Sequence, residues 1–368
     1  MKITKLRNIG VCLLAALWLA LALTLWFGPR KEMSESERRR LAQAPALTAE
    51  SVRSGKFMTA FESFTLDQFP LRDTFRRIKS LFHYNVLGQK DNNGIYVSNG
   101  FAAKQEYPLD EASLARAVDR FQYLYDAYLK ESGSKITFAL VPDKGQFLAP
   151  ESGNLSLDYD AMEAVLQEGM PWAEFVPIRD TLELSAYYRT DTHWRQEALL
   201  PTAQTICDAL GVGCFESEDF TPTALERPFY GVYYGQAALP MEPETMYLLE
   251  NDLLKNCTVY DYESGKTSAV YNLDLLTGRD LYDVYLSGPR SLLTITNPSG
   301  IPGKELIVFR DSFGSSMVPL LIRDYETVTL VDIRYLQSAM LSRYVDFHGQ
   351  DVLFLYSTLV MNHSESLK

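Results

Sequence analysis

Histidine is scarce in this 368-residue sequence: there are four, His83, His193, His348 and His363. So few imidazoles argue against a histidine-rich metal centre and narrow the search for a general base near neutral pH. Cysteine is as scarce. Cys12 lies in an apolar N-terminal run, and Cys207, Cys214 and Cys257 form no C-x-x-C pair, which argues against structural zinc. Cys207 and Cys214 can join as a disulfide only in an oxidising compartment; free or buried thiols are the other reading. Positive charge is in deficit, with a net charge of −12. Duplex nucleic acid is therefore not an expected partner, because phosphate binding needs a basic surface. No internal repeat or low-complexity tract stands out. What is present is a large apolar fraction, 46%, enough for one large α/β domain or two smaller ones. The 12% aromatic content suits carbohydrate stacking, but most of these rings are expected to fill the core.

Residues 9–27 carry no charge. As a helix this run is about 28 Å long, close to the thickness of a hydrocarbon core. Trp26 and Phe27 sit where an interfacial aromatic belt falls. A signal peptide would have a shorter apolar stretch and a small-x-small cleavage site, and Phe27-Gly-Pro-Arg-Lys31 offers none. An uncleaved anchor is the expectation. Lys and Arg flank the run on both sides, so charge alone does not orient it.

The expected organisation is a short tail at 1–7, a transmembrane anchor at 8–28, a juxtamembrane helical arm at 29–90 and a catalytic domain at 91–368, irregular between 215 and 290. Helical periodicity covers 48–66, a second helix follows to about Leu87, and another spans 110–132. Lys135–Val141 reads as a buried strand, as do 291–296, 306–309, 328–332 and 351–356, with helices expected at about 313–323 and 336–344. Alternation at this spacing indicates βαβ units and a mainly parallel sheet. The helix after His193 should kink or start late because of Pro201.

Two stretches carry chemistry. Tyr188-Arg-Thr-Asp191-Thr-His193-Trp194 places a carboxylate two residues before a histidine, at a loop-to-helix junction. Lys304–Ser316 reads as a strand, a sharp break at Asp311-Ser312, then a helix. Asp, His and Ser are the parts of a serine acyl-transfer site. The bland readings are that Asp191, Asp311 or Ser312 is an N-cap and that His193 lies on a helix surface. The nucleophile-elbow pattern G-x-S-x-G is not met, since Arg310 stands at its first glycine, although Gly314 fits the second.

Several motifs together resemble the DHHW protein family, related to the SGNH-hydrolase-like alginate O-acetyltransferases. They include Asp67-Gln-Phe-Pro-Leu-Arg72-Asp, Val141-Pro-Asp-Lys144, Asp191-Thr-His-Trp194, Phe229-Tyr-Gly231, Asp311-Ser312 and Asp332-Ile-Arg-Tyr335. The resemblance implies a three-layer α/β/α SGNH-hydrolase-like domain outside the membrane, with Ser312 as nucleophile, His193 as base and Asp191 as its orienter. Thr192 replaces the first histidine of the family's name-giving motif, as in the acetyltransferase branch. Ser287-Gly288 stands where relatives often carry paired glycines, so the second oxyanion donor is open. Gly288 and Asn297 are candidates for it, and Lys144, Arg310 and Tyr188 are further oxyanion or substrate candidates. The expected activity is O-acetyl transfer to, or ester hydrolysis on, a cell-surface polysaccharide, with a possible membrane acyl-donor protein as partner and no cofactor or metal. The alternative is a catalytically idle glycan-binding or scaffold subunit of a surface-polymer assembly.

Overall fold

The structure, a computed structural model, describes residues 2–34 and 36–368, with side chains from Arg7 onward. Met1 and Glu35, which fall in the expected tail and arm, lie outside the described residues. The chain forms two units, residues 1–93 with 234–240, and residues 94–233 with 241–368.

The first unit is helical. Helix α1 (Lys2–Phe27) contains the one span among the described residues, Arg7–Phe27, long and apolar enough to cross a membrane. Over residues 9–27 its side chains are almost all apolar and largely exposed, as expected of a helix made for lipid or for a signal sequence. Helices α2 (Lys56–Asp67) and α3 (Arg72–Asn85) follow, separated by the Pro70 turn. The helical pattern read at 48–66 is interrupted by Gly55, which adopts a left-handed conformation that favours glycine.

The second unit holds an eight-stranded sheet. Its strands are β1 (Ile136–Val141), β2 (Glu174–Phe175), β3 (Thr258–Asp261), β4 (Lys266–Ser268), β5 (Leu292–Thr296), β6 (Ile301–Arg310), β7 (Tyr325–Val331) and β8 (Asp351–Ser357). Their order is β4-β3-β5-β7-β6-β8-β1-β2. From β7 to β2 every pairing is parallel, with Val308 opposite Leu330 on one side and Leu353 on the other. The edge β4-β3-β5-β7 is antiparallel.

Alternation sorts the parallel strands' side chains onto two buried faces. Leu306, Val308, Leu353 and Leu355 point to one core with Ala203, Ile206 and Leu210 of helix α4 (Leu200–Leu210). Ile307, Phe309, Val352 and Phe354 point to the other, under helices α5 (Glu111–Leu124) and α6 (Tyr159–Gly169). Phe121 of α5 anchors this side, with its ring 5.2 Å from Phe354 and 5.0 Å from Tyr356. Helices on both faces of a mainly parallel sheet make the three-layer α/β/α arrangement expected.

Local expectations fail where the chain is tied by tertiary contacts. The helix read at 313–323 is only one α-turn, Gly314–Met317, continued as a 3₁₀ turn into Pro319. Residues 338–343 are 3₁₀ rather than α-helical. Helix α4 starts late, at Leu200, with Pro201 in its first turn, where a missing N–H costs nothing. Within the stretch expected to be irregular, 215–290, the chain forms the short helix Val232–Ala237. Cys207, Cys214 and Cys257 are buried free thiols.

Candidate active site

Strand β6 is an interior strand of the parallel half, and Ser312 lies two residues beyond its end, at the C-terminal edge where open α/β sheets place ligand sites. Asp311 shapes the turn. Its Oδ1 accepts from the Phe313 N–H at 2.9 Å, and its Oδ2 accepts from the Ser357 N–H at 2.8 Å, pinning the break to the end of β8. Asp311 thus does the local capping, and Ser312 is free of it. Ser312 is part-exposed in a turn whose neighbours are buried.

The histidine arrives on a different device. Tyr187 and Trp194 form an antiparallel bridge, the Tyr188 N–H donates to the His193 carbonyl at 3.1 Å, and Asp191 and His193 stand at the tip of this narrow loop. The expected loop-to-helix junction is therefore a hairpin-like tip, with α4 beginning well after it. Trp194 is fully buried and donates through Nε1 to the Phe313 carbonyl at 3.1 Å and to Ser316 Oγ at 3.0 Å, so the loop is fastened to the serine turn itself. Gln196 adds a bond to the Ser316 carbonyl at 2.9 Å.

These devices bring Asp191, His193 and Ser312 together. His193 Nδ1 lies 2.6 Å from Asp191 Oδ1, and Nε2 lies 2.8 Å from Ser312 Oγ. The carboxylate can only accept, so Nδ1 carries the proton and Nε2 is left to accept from the serine hydroxyl. The second carboxylate oxygen accepts from the Val232 N–H at 2.8 Å. Asp191 is fully buried and His193 nearly so.

The loop bearing Asp191 has its own supports. Glu244 accepts from the Arg189 N–H at 2.8 Å, the Thr190 N–H at 2.9 Å and the Thr190 hydroxyl at 2.9 Å. Thr190 Oγ1 accepts in turn from the Gly231 N–H at 2.9 Å. Gly231 has no alternative here, since a Cβ would lie 2.3 Å from the Asp191 Cα. Lys144 is buried behind the loop, with Nζ 2.8 Å from the Tyr188 carbonyl, and burial pushes its ammonium down to about 7 against the pull of Asp191 and Glu244. Thr192, the departure from the family motif, accepts from the Tyr233 hydroxyl at 3.1 Å.

The remaining expected residues sit elsewhere or act otherwise. Asn297 precedes β6, at the opposite end of that strand from Ser312, and its amide donates to the Ile322 and Tyr325 carbonyls at 3.0 Å each. The Gly288 N–H donates to the Tyr285 carbonyl at 3.1 Å. Arg310 is buried under the serine turn and donates to Ser315 Oγ at 2.9 Å and to the Gly288 carbonyl at 3.4 Å, tying the 280–288 loop to the turn. Tyr188 is fully buried and meets Lys144 through its carbonyl rather than its phenol. Tyr282 and Glu244 escaped the sequence reading. The Tyr282 ring covers the His193 imidazole, and nothing in its neighbourhood in the chain marks it.

Residues 175–331 match a family model described as DHHW protein. The chain resembles the DHHW proteins. Solved structures that share its fold include the following two. A DHHW family protein from Eubacterium siraeum aligns with 75% of this chain and 95% of its own, at 18% identity and a TM-score of 0.58. Bacillus cereus PatB1 with a sulfonyl adduct aligns with 72% of this chain and 93% of its own, at 16% identity and a TM-score of 0.57. At these identities the likeness is one of fold, the three-layer α/β/α arrangement. No curated protein matches the chain.

Proposed function

We propose that this DHHW-like chain is a membrane-anchored, extracytoplasmic serine O-acetyltransferase or esterase acting on a cell-surface polysaccharide. The observation that carries the reading is the imidazole of His193 bridging Asp191 Oδ1 and Ser312 Oγ at 2.6 and 2.8 Å. Helix α1 supports the anchor, and the resemblance supports the substrate class. A possible membrane protein carrying the acyl donor belongs to the same reading.

In the proposed cycle His193 Nε2 takes the Ser312 hydroxyl proton as Oγ attacks the acetyl carbonyl. Collapse of the tetrahedral intermediate breaks the bond to the donor oxygen, which leaves with that proton. A sugar hydroxyl then gives its proton to Nε2 and attacks the acetyl-serine, releasing Ser312 and leaving the ester on the glycan; water in its place gives acetate. Asp191 holds the ring and stabilises the imidazolium. Among the described residues the Ser312 N–H donates to no acceptor, which leaves it available to donate to the oxyanion.

PatB1 is known with a sulfonyl adduct, and a sulfonyl fluoride is the direct probe here. Intact-mass measurement of the full chain should show one sulfonyl group, mapped to Ser312 and missing from Ser312→Ala. An activated acetyl ester should be turned over by the same molecules. Acetate release that falls as ester appears on an added glycan identifies a transferase. No adduct and no turnover would sink the enzyme reading in favour of an idle glycan-binding subunit.

A further inference from the structure

Helix α3 of the N-terminal unit is built the wrong way round for water. Its polar side faces inward. Arg72 meets Glu37 at 2.5 Å, Arg76 donates to the Gly235 carbonyl at 2.8 Å, and the fully buried Ser80 hydroxyl donates to the Ala237 carbonyl at 2.7 Å. These positions recur every four residues and make one face. The opposite face carries Phe75, Ile78 and Phe82, continued by Val86 just past the helix, and they are 43%, 57%, 49% and 65% exposed. Leu81 stands beside them, also exposed. A surface helix of a water-soluble unit does the reverse, placing its apolar stripe on the core. The surroundings this stripe suits are therefore apolar.

Charge and neighbours select the occupant. Helix α3 carries Arg72, Arg76, Arg77 and Lys79; Glu37 meets Arg72 and Arg76 on the inner face, which leaves the exposed Arg77, 2.6 Å from the Tyr234 hydroxyl, and the exposed Lys79 as the cations flanking the apolar stripe. Leu66, Phe69 and Phe75 share a cleft of about 730 Å³ with Arg72, Arg76 and Lys79, so apolar and cationic walls stand side by side. The apolar helix α1 leaves the same unit close by. Trp26 at its end lies 5.9 Å from the ring of Phe61 in α2, and the Arg30 guanidinium lies 5.1 Å over Phe64. A second copy of the helix would bring like charges together. A bilayer surface with anionic headgroups matches both halves of the pattern.

We propose that α3 lies in the plane of an anionic membrane surface, with Phe75, Ile78, Phe82 and Val86 in the acyl boundary and Arg77 and Lys79 at the headgroups. This contact is separate from any crossing by α1 and independent of the chemistry at Ser312. It gives the unit a second attachment, so that the segment after α1 rests along the bilayer.

The test places a benzophenone amino acid at Phe75 or Phe82 of the full chain, reconstituted in phosphatidylcholine vesicles with or without phosphatidylglycerol. Irradiation should give lipid adducts at both positions, in higher yield with phosphatidylglycerol. Arg77→Glu with Lys79→Glu should cut the yield in the anionic vesicles by about tenfold and leave the zwitterionic ones unchanged. Photolabelling an Arg77→Ala, Lys79→Ala chain guards against a folding defect of the charge reversal, and should give an intermediate yield. Equal yields with and without phosphatidylglycerol would overturn the anionic contact. Absence of lipid adducts at both positions would overturn the proposal, as would adducts confined to another polypeptide in cell membranes.

Discussion

The ring of Tyr282 stacks on the imidazole of His193, 3.9 Å between centroids and with 9° between the ring planes. The phenol is itself held, 2.7 Å from Ser316 Oγ, and Phe313 closes the imidazole's surroundings at 5.0 Å. Stacking limits how far the imidazole can turn about its bond to the chain, which keeps Nε2 aimed at Ser312. Tyr282→Phe keeps the stack and should retain turnover within about threefold. Tyr282→Ala frees the ring and should lower kcat about 10²-fold, the cost of misplacing a catalytic group by about an ångström. Steady-state ester hydrolysis by the two variants checks the difference; equal losses would show that the stack does not matter.

The three central side chains should behave as a unit. Ser312→Ala and His193→Ala are each expected to lower kcat by about 10³-fold or more, and the double variant by little beyond either one. Asp191→Asn should lower it about 10²–10⁴-fold, because an amide can donate to Nδ1 and turn the imidazole into the wrong tautomer. Additive losses in the double variant would speak against a shared proton path.

Gly231 offers a test of the loop's placement without touching a reacting group. Gly231→Ala would force a Cβ against the Asp191 backbone, since the two would be 2.3 Å apart. The loop must move, and sulfonylation of Ser312 should slow by about 10–10²-fold while the far-ultraviolet circular dichroism is unchanged. Wild-type rates in this variant would mean that the loop has room the structure does not give it.

Lys144 predicts a pH dependence of stability. Burial holds its pKa down at about 7, below the ordinary 10.5. Below about pH 7 both folded and unfolded chains hold the proton; between 7 and 10.5 only the unfolded chain does, so the lysine's contribution to stability rises with pH across that window. Lys144→Met removes the slope. Unfolding free energies of both proteins, from urea titrations at pH 7.5 and 9.5, should shift in favour of wild type relative to the variant by about 1.4 kcal/mol per pH unit at most. A constant difference would place the lysine's proton elsewhere.

The sequence made the sheet legible because its strands are apolar on both faces, and buried parallel strands leave little ambiguity. It also separated Asp191, His193 and Ser312 from other candidates, since histidine is rare and the Asp-Ser break follows a clear strand. The supports were not legible. Glu244 works through the backbone N–H groups of Arg189 and Thr190, contacts that no residue pattern encodes, and Tyr282 reaches His193 across 89 positions of chain (282 − 193). Asn297 misled because its residue type suits an oxyanion donor while its place before β6 puts it at the far end of the strand. The apolar run after Ser312, through Val318 and Leu321, has helical spacing, but Pro319 and the turn at Ile322 end the helix early.

Trp194 gives the site an optical handle. Of the four tryptophans, Trp18 and Trp26 belong to α1 and Trp172 stacks on Tyr125 at 4.7 Å. Trp194 alone among them reports on the serine turn, through Nε1 on the Phe313 carbonyl and Ser316 Oγ and an edge contact with the Phe313 ring at 5.4 Å. If Ser312 is acylated as proposed, any shift of that turn changes the field at a buried indole. With the other three tryptophans replaced by phenylalanine, stopped-flow emission would follow loading and discharge of the serine in real time, without a chromogenic leaving group, and so with natural acyl donors.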